Sequence, residues 1–222
     1  MLLAPNRPPE RRTVDFVAGR PAFAANRRHL FRAAGGRIWR DDPLGPEPWG
    51  EVLAGQTRLF LGEELGLGLY RAGELSVLFL FHPERRGLLE VPGLPRLAGQ
   101  LIDVAAVLGE GRAWVRFTLE RGGRPRELLV VVDAGGGIVA TAEEEVGGWT
   151  QGLPGACPSR GFLLVPTDGG IARYEVQGGA IVRGREFPDS EPFVDAASRL
   201  LLTRDGLCVV AERSITQLTL NE

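Results

Sequence analysis

Lysine is missing from this chain of 222 residues, so all 26 basic side chains are arginine. With abundant Gly, Ala, Leu and Pro, that absence reads as the mark of a GC-rich coding genome. The functional reading is selection for the bidentate and stacking contacts that only a guanidinium makes. Histidine is almost as scarce: His29 and His82 are the only side chains with an unperturbed pKa near neutrality suited to a general base. Neither stands in a triad context. His82 follows an apolar run and precedes Pro83, as a strand-end residue does, and His29 sits among arginines. No GxSxG, HExxH, Walker A or Rossmann fingerprint occurs. No cofactor is therefore expected, and an enzymatic role is disfavoured.

Two cysteines, Cys157 and Cys208, lie 51 positions apart without metal-ligand spacing. They permit a disulfide, but with no export signal in the Arg- and Pro-rich N-terminus the default is two reduced thiols and a cytoplasmic location. Long apolar runs are lacking as well. Val77-Leu78-Phe79-Leu80-Phe81 is about strand length, far short of the roughly 18 residues that cross a bilayer, so no membrane association is expected.

What is present is a β pattern. The hydrophobic fraction of 44% suffices for a core. Residues 1–12 read as a flexible Arg/Pro-rich leader, and residues 13–222 as an all-β repeat domain. Thr13 to Gly19 reads as a first strand. Ala22 to Ala34 permits a short helix or a loop leading into a strand. Asp41 to Gly50, rich in Pro and Gly, reads as a surface loop, and so does His82 to Gly87. Gly66 to Tyr70 alternates glycine with larger residues, which suggests a bulge, a bend or the close approach of another backbone. Residues 97–108 are compatible with three helical turns or a buried strand, and the neighbouring strands favour the strand. Ala113–Leu119, Leu128–Val132, Gly161–Val165 with Ile171–Val176, and Ala180–Phe187 read as further strands.

Near its end the chain repeats itself. FLLVPTDGGIARYE (162–175) and LLLTRDGLCVVAE (200–212) share an apolar run, a Thr, an Asp-Gly turn and a second apolar run. Asp168 and Asp205 are 37 residues apart, close to the roughly 40–45-residue period of a four-stranded propeller blade. Units of about this size, counted after the leader, predict roughly five antiparallel β units in a propeller-like array. An incomplete array closed by a partner chain is a variant of the same expectation, and a β-sandwich or stacked barrels is the alternative. On the cassettes TDGGIARYEV (167–176) and RDGLCVVAERSITQLTL (204–220) the chain resembles bacterial β-propeller repeat proteins. More narrowly, it looks like the propeller partners encoded beside MoxR-type ATPases and von Willebrand A proteins. The resemblance implies an adaptor role in a multi-protein system.

Acidic residues offer the remaining candidates. Asp168 and Asp205 read as equivalent turn-makers bonded to local amides, or as rim carboxylates for a cation. Asp103, Asp133 and Asp195 adjoin strands and suit a propeller-type carbohydrate-active enzyme or sugar-binding protein with an acidic pocket, the alternative function. The first expectation is a non-enzymatic protein-interaction module. Trp49, Trp149 and Phe187, each beside Pro or Gly in loop-like sequence, are its candidate anchors, with packing into an inter-blade core as the alternative, and Asp189 and Glu191 form an acidic loop for an arginine-rich partner. Charge is uneven: +7 over residues 1–40 against −9 over residues 41–222. A basic arm suits an acidic partner or its own acidic body, while the lack of interleaved aromatics argues against nucleic acid.

Overall fold

The computed structural model describes residues 22–52, 55–72, 75–94, 97, 100–145, 149–159, 161–184, 194–203 and 206–218. The leader and the strand expected at 13–19 lie outside them. The described chain forms five antiparallel sheets in sequence order. The first holds β1 (Ala22–Ala25), β2 (Leu30–Ala34), β3 (Arg37–Asp42) and β4 (Gly45–Glu51). The second holds β5 (Gln56–Leu61), β6 (Gly66–Ala72), β7 (Leu75–His82) and β8 (Arg85–Glu90). In the third, β9 (Gln100–Gly109), β10 (Arg112–Arg121) and β11 (Arg124–Asp133) are ten residues each, beside β12 (Ile138–Glu145). The fourth comprises β13 (Cys157–Ser159), β14 (Phe162–Thr167), β15 (Gly170–Gln177) and β16 (Ala180–Arg183). The fifth comprises β17 (Arg199–Thr203), β18 (Gly206–Val210) and β19 (Ile215–Leu218).

The sheets stack like blades. Their first strands, β1, β5, β9, β13 and β17, touch in succession along one side of the stack. On the other side β4 packs on β8, and β12 on β16. This is the propeller-like array of five units that the sequence predicts. Residues 97–108 are largely strand, and the segment open to a helix at 22–34 is the β1–β2 hairpin.

Alternation explains why the internal strands look continuously apolar. In β7, Phe79 and Phe81 face the first sheet while Leu78 and Leu80 face the third. In β11, Leu128, Val130 and Val132 face the second sheet while Leu129 and Val131 face the fourth. In β14, Leu163 and Val165 point one way and Leu164 the other. A strand buried on both faces has no position left for a polar side chain. Four apolar clusters fill the four joints between successive sheets, and among the described residues none joins the first sheet to the fifth.

Three expectations are corrected. Asp41–Gly50 is a hairpin arm, not a loop, because Pro46 and Pro48 fall on β4, an outermost strand where a missing N–H costs no ladder bond. Residues 85–87 likewise begin the outermost strand β8, whose polar face meets solvent. The glycines of β6 answer to side chains and not to a backbone: Gly66 pairs with Phe81 and Gly68 with Phe79, and each ring lies flat over its glycine where a Cβ would stand. Local turns need glycine for a different reason. Gly35-Gly36 (φ 61° and 75°) and Gly122-Gly123 (φ 58° and 74°) supply the paired positive φ of tight hairpins.

The Asp-Gly repeat also changes meaning. Asp168-Gly169 turns β14 into β15, the second hairpin of its sheet, whereas Thr203 pairs with Gly206 at the first hairpin of the fifth. The two turns therefore occupy non-equivalent places. What they share is local: Thr167 Oγ1 donates to Gly170 O at 2.9 Å and Thr203 Oγ1 to Gly206 O at 3.0 Å. The cassette is a repeated hairpin and not a repeated blade.

Gly68→Ala is expected to destabilise the protein by about 1–3 kcal/mol, since the new methyl displaces the Phe79 ring. Urea unfolding measures it, and adding Phe79→Leu is expected to recover part of the loss.

Candidate interaction surfaces

The joint between the first two sheets gathers the residues that looked most like chemistry. Trp49 is 4% exposed on β4, inside the apolar cluster rather than at the surface. Its indole N–H donates to the His82 carbonyl at 3.1 Å, Phe31 meets it edge-on at 5.4 Å, and the Arg40 guanidinium lies 4.4 Å above its ring. It is thus a core residue and not an exposed anchor, because β4 is a strand that turns one face inward. His29 Nε2 is 2.8 Å from Glu84 Oε1, and the Glu84 N–H donates to His82 Nδ1 at 3.0 Å. Both histidines therefore serve the seam between sheets. The hydrogen bond with His29 draws the Glu84 carboxyl below its ordinary value. Arg40 and Arg86 both reach Glu47, and Asn26 Nδ2 donates to Gly62 O at 2.8 Å.

The acids proposed for catalysis are engaged elsewhere. Asp103 on β9 accepts from Arg58 of the second sheet at 2.8 Å and from Arg116 at 3.1 Å, while Arg58 also donates to Val104 O. It is an inter-sheet clamp. Asp133 Oδ1 accepts from the Gly135 and Gly137 amides, both at 2.9 Å, and closes the β11–β12 turn. Asp195 accepts from the Ala197 amide and from Ser198 Oγ, shaping the turn before β17. Asp168 reaches beyond its own turn to the Ala196 amide at 3.1 Å, tying the fourth sheet to the start of the fifth. Asp103, Asp133 and Asp195 sit at separate joints and turns, with Asp168 joining Asp195 at the 195–198 turn, and each carboxylate is held by local partners.

Trp149 opens the 3-10 turn Trp149–Gly155, which packs against β14. Phe187, Asp189 and Glu191, like Asp205, lie outside the described residues. An open depression of about 400 Å³ lies between that turn and the start of β17, lined by Gln151, Pro154, Gly155, Ala196, Ala197 and Arg199.

Apolar side chains meet solvent at both ends of the stack, a feature that strand-by-strand reading does not reveal, as they also do at Leu75, Leu89 and Ile102 on the second and third sheets. On the first sheet, pairing places Phe23, Arg32, Trp39 and Pro48 on the face turned away from the core, with Leu30 and Pro46 in the next row. Phe23 is 48% and Leu30 39% exposed, and Arg32 stacks 5.4 Å from the Trp39 ring. On the fifth sheet, Leu200, Leu207 and Val209 face the fourth sheet, leaving Leu201, Cys208, Val210 and Ile215 outward. Leu201 is 55% and Ile215 76% exposed. Val182, on the outermost strand of the fourth sheet, is also open, at 38%, beside a fifth sheet of three described strands. Both cysteines are free: Cys157 is buried in the last joint and Cys208 is half-buried on the outward face.

Fold and surfaces together define an all-β, propeller-like array whose internal faces are covered and whose end faces are apolar. No family model matches the chain, and no curated protein matches it. Among solved structures it is similar to AztD of Citrobacter koseri, with 13% identity over 76% of this chain and 51% of that one, at a TM-score of 0.41. It is also similar to TolB from Acinetobacter baumannii, with 13% identity, 89% and 51% coverage and a TM-score of 0.39. A third is the subtype N10 neuraminidase-like protein of A/little yellow-shouldered bat/Guatemala/060/2010, with 9% identity, 74% and 58% coverage and a TM-score of 0.38. The chain spans a little over half the length of each.

Two outcomes follow from the seam and the thiols. Because Glu84 has a lowered pKa, its pairing with His29 stabilises the fold above the ordinary carboxylate value of 4.5 and is lost as pH falls through the lowered one. Glu84→Gln should melt below wild type near pH 6, roughly where carboxylates are ionised, with the gap closing as the solution is acidified further; thermal melts across pH test this. Burial pushes the Cys157 thiol up, so a disulfide reagent should modify Cys208 first in dilute native protein and both thiols only after denaturation.

Proposed function

We propose that this protein is a non-enzymatic, propeller-like interaction module that acts as an adaptor or scaffold in a multi-protein system. The observation that carries this reading is the contrast between covered internal faces and open apolar end faces. Every internal sheet buries apolar residues on both sides, while Leu201 and Ile215 at one end and Phe23 and Leu30 at the other stand in solvent. Exposed apolar residues gathered on one face mark interaction sites. Repeat arrays that end in solvent ordinarily carry polar caps, whereas these faces mix exposed apolar side chains with ion pairs such as Arg32–Asp41 and Arg37–Glu51.

The disposition of the titratable groups supports the same reading. His29, Glu84, Asp103, Asp133, Asp168 and Asp195 each bond across a joint or within a turn. A carbohydrate-active centre needs carboxylates opposed across one cavity, and Asp103, Asp133 and Asp195 are spread over different joints and turns. The bacterial adaptor systems suggested by the sequence resemblance agree with a scaffold whose residues serve shape.

The test is affinity capture from lysate of the source organism with wild type and with the face variants Leu201→Glu and Phe23→Glu. These positions are exposed, so their effect on folding is expected within about 0.5 kcal/mol. Proteins retained by wild type and released by either variant support docking at an end face. An unchanged set of captured proteins would place binding elsewhere on the molecule.

A further inference from the structure

We infer that the joint between the first and second sheets carries a proton-sensitive latch on Glu84, worked by two histidines that respond in opposite directions. The latch lies within the fold and does not depend on what docks at the end faces. The chain has two histidines, and both are bonded to this one residue. His82 ends β7 and pairs with Arg85 across the turn Pro83-Glu84, and its ring accepts the Glu84 main-chain N–H at Nδ1, 3.0 Å away. Asn or Asp commonly takes this place in a turn, where a side-chain oxygen receives the amide two residues on. His29 comes from the turn between β1 and β2 and meets the Glu84 carboxylate through Nε2 at 2.8 Å.

The two bonds ask different things of their rings. An ionised carboxylate only accepts, so His29 presents an N–H at Nε2; the neutral ring and the cation both do so, the cation with charge assistance. The bond of His82 runs the other way. Its Nδ1 must be bare to accept, which puts the ring proton on Nε2 and requires the neutral imidazole. A proton added at Nδ1 sets N–H against N–H. Mild acid therefore releases the turn amide from His82 while the grip of His29 on the carboxylate tightens. The release is felt beyond the turn, because the His82 carbonyl receives the Trp49 indole N–H at 3.1 Å and so joins β4 to the same residue. The charged groups around the latch are Arg28 beside His29, Arg40 on β3, Arg85 next to Glu84, and Glu47 on β4, which Arg40 and Arg86 both hold. Glu63 and Glu64 lie on the β5–β6 turn that Asn26 reaches. Carboxylates and guanidinium groups ordinarily titrate outside about pH 5–8 and histidine inside it, so a change across that interval reads out the two rings.

Each histidine is isolated by replacing the other with an amide that keeps its bond and does not titrate. His82→Asn keeps an acceptor for the Glu84 amide, and His29→Gln keeps a donor for its carboxylate. Thermal melts compare each variant with the double variant as baseline, from about pH 7.5 to about pH 5.5. His29→Gln, which retains His82, is expected to lose about 2–4 °C against the baseline over this interval, the size of one net hydrogen bond in a chain of this length. His82→Asn, which retains His29, is expected to hold level or rise. In wild type at neutral pH, NMR of the imidazole nitrogens is expected to find His82 protonated at Nε2 alone. A His82 proton on Nδ1 overturns the inference, as do variants that respond to acid alike or not at all. The ring spectrum is read on wild type, so it decides even if a variant fails to fold.

Discussion

The packing of one sheet on the next is the interaction on which everything else in this molecule depends. No single sheet of three or four short strands buries enough surface to hold itself together in water. Each internal sheet becomes stable by placing alternate residues of a strand into two different cores, which is why Leu78 and Phe79, neighbours in sequence, lie in separate clusters. The polar interactions follow from that geometry. Arg58 to Asp103, Asn26 to Gly62 and Asp168 to Ala196 each cross from one sheet to the next and set the spacing that the apolar contacts require.

The absence of lysine takes on a physical aspect beside these joints. Arg32, Arg40 and Arg173 lie over Trp39, Trp49 and Phe162, with the guanidinium carbon 4.2 to 5.4 Å from the ring centre. Arg40 also donates to Glu47, and Arg58 bonds both a carboxylate and a carbonyl. A flat, delocalised cation can stack and donate in its plane at the same time, and an ammonium cannot. The fold thus uses the chemistry that an all-arginine composition supplies.

Much of the architecture was legible because burial writes itself into sequence. The doubly apolar runs at 77–81 and 128–132 announced internal strands, and the Gly-containing turns announced hairpins. The outermost strands were harder to read. β4 carries two prolines and β8 begins Arg-Arg-Gly, so both resembled loops, since a rim strand needs only one apolar face and tolerates a proline at its free edge. Asp168 and Asp205 read as equivalent in sequence because hairpin chemistry is local and looks alike wherever a hairpin falls. The acids at 103, 133 and 195 show no spacing that reveals their partners, which come from other sheets or from backbone amides. The end faces escape a strand-by-strand reading for a related reason: Leu201 and Ile215 have the composition of core residues, and only the stacking order reveals that no further sheet among the described residues covers them.

A stack in which the apolar clusters join only successive sheets is a one-dimensional object, and its cooperativity has a direction. Its stability is set by the sheets and the joints between them, with no central core held in common. The first and fifth sheets are each secured by one joint and the internal three by two. Opening should then begin at the ends and travel inward, and the third sheet, with its ten-residue strands and two filled joints, should hold its amide protons longest. The molecule has a rigid middle and two softer ends, and the softer ends are the ones that carry its exposed apolar faces.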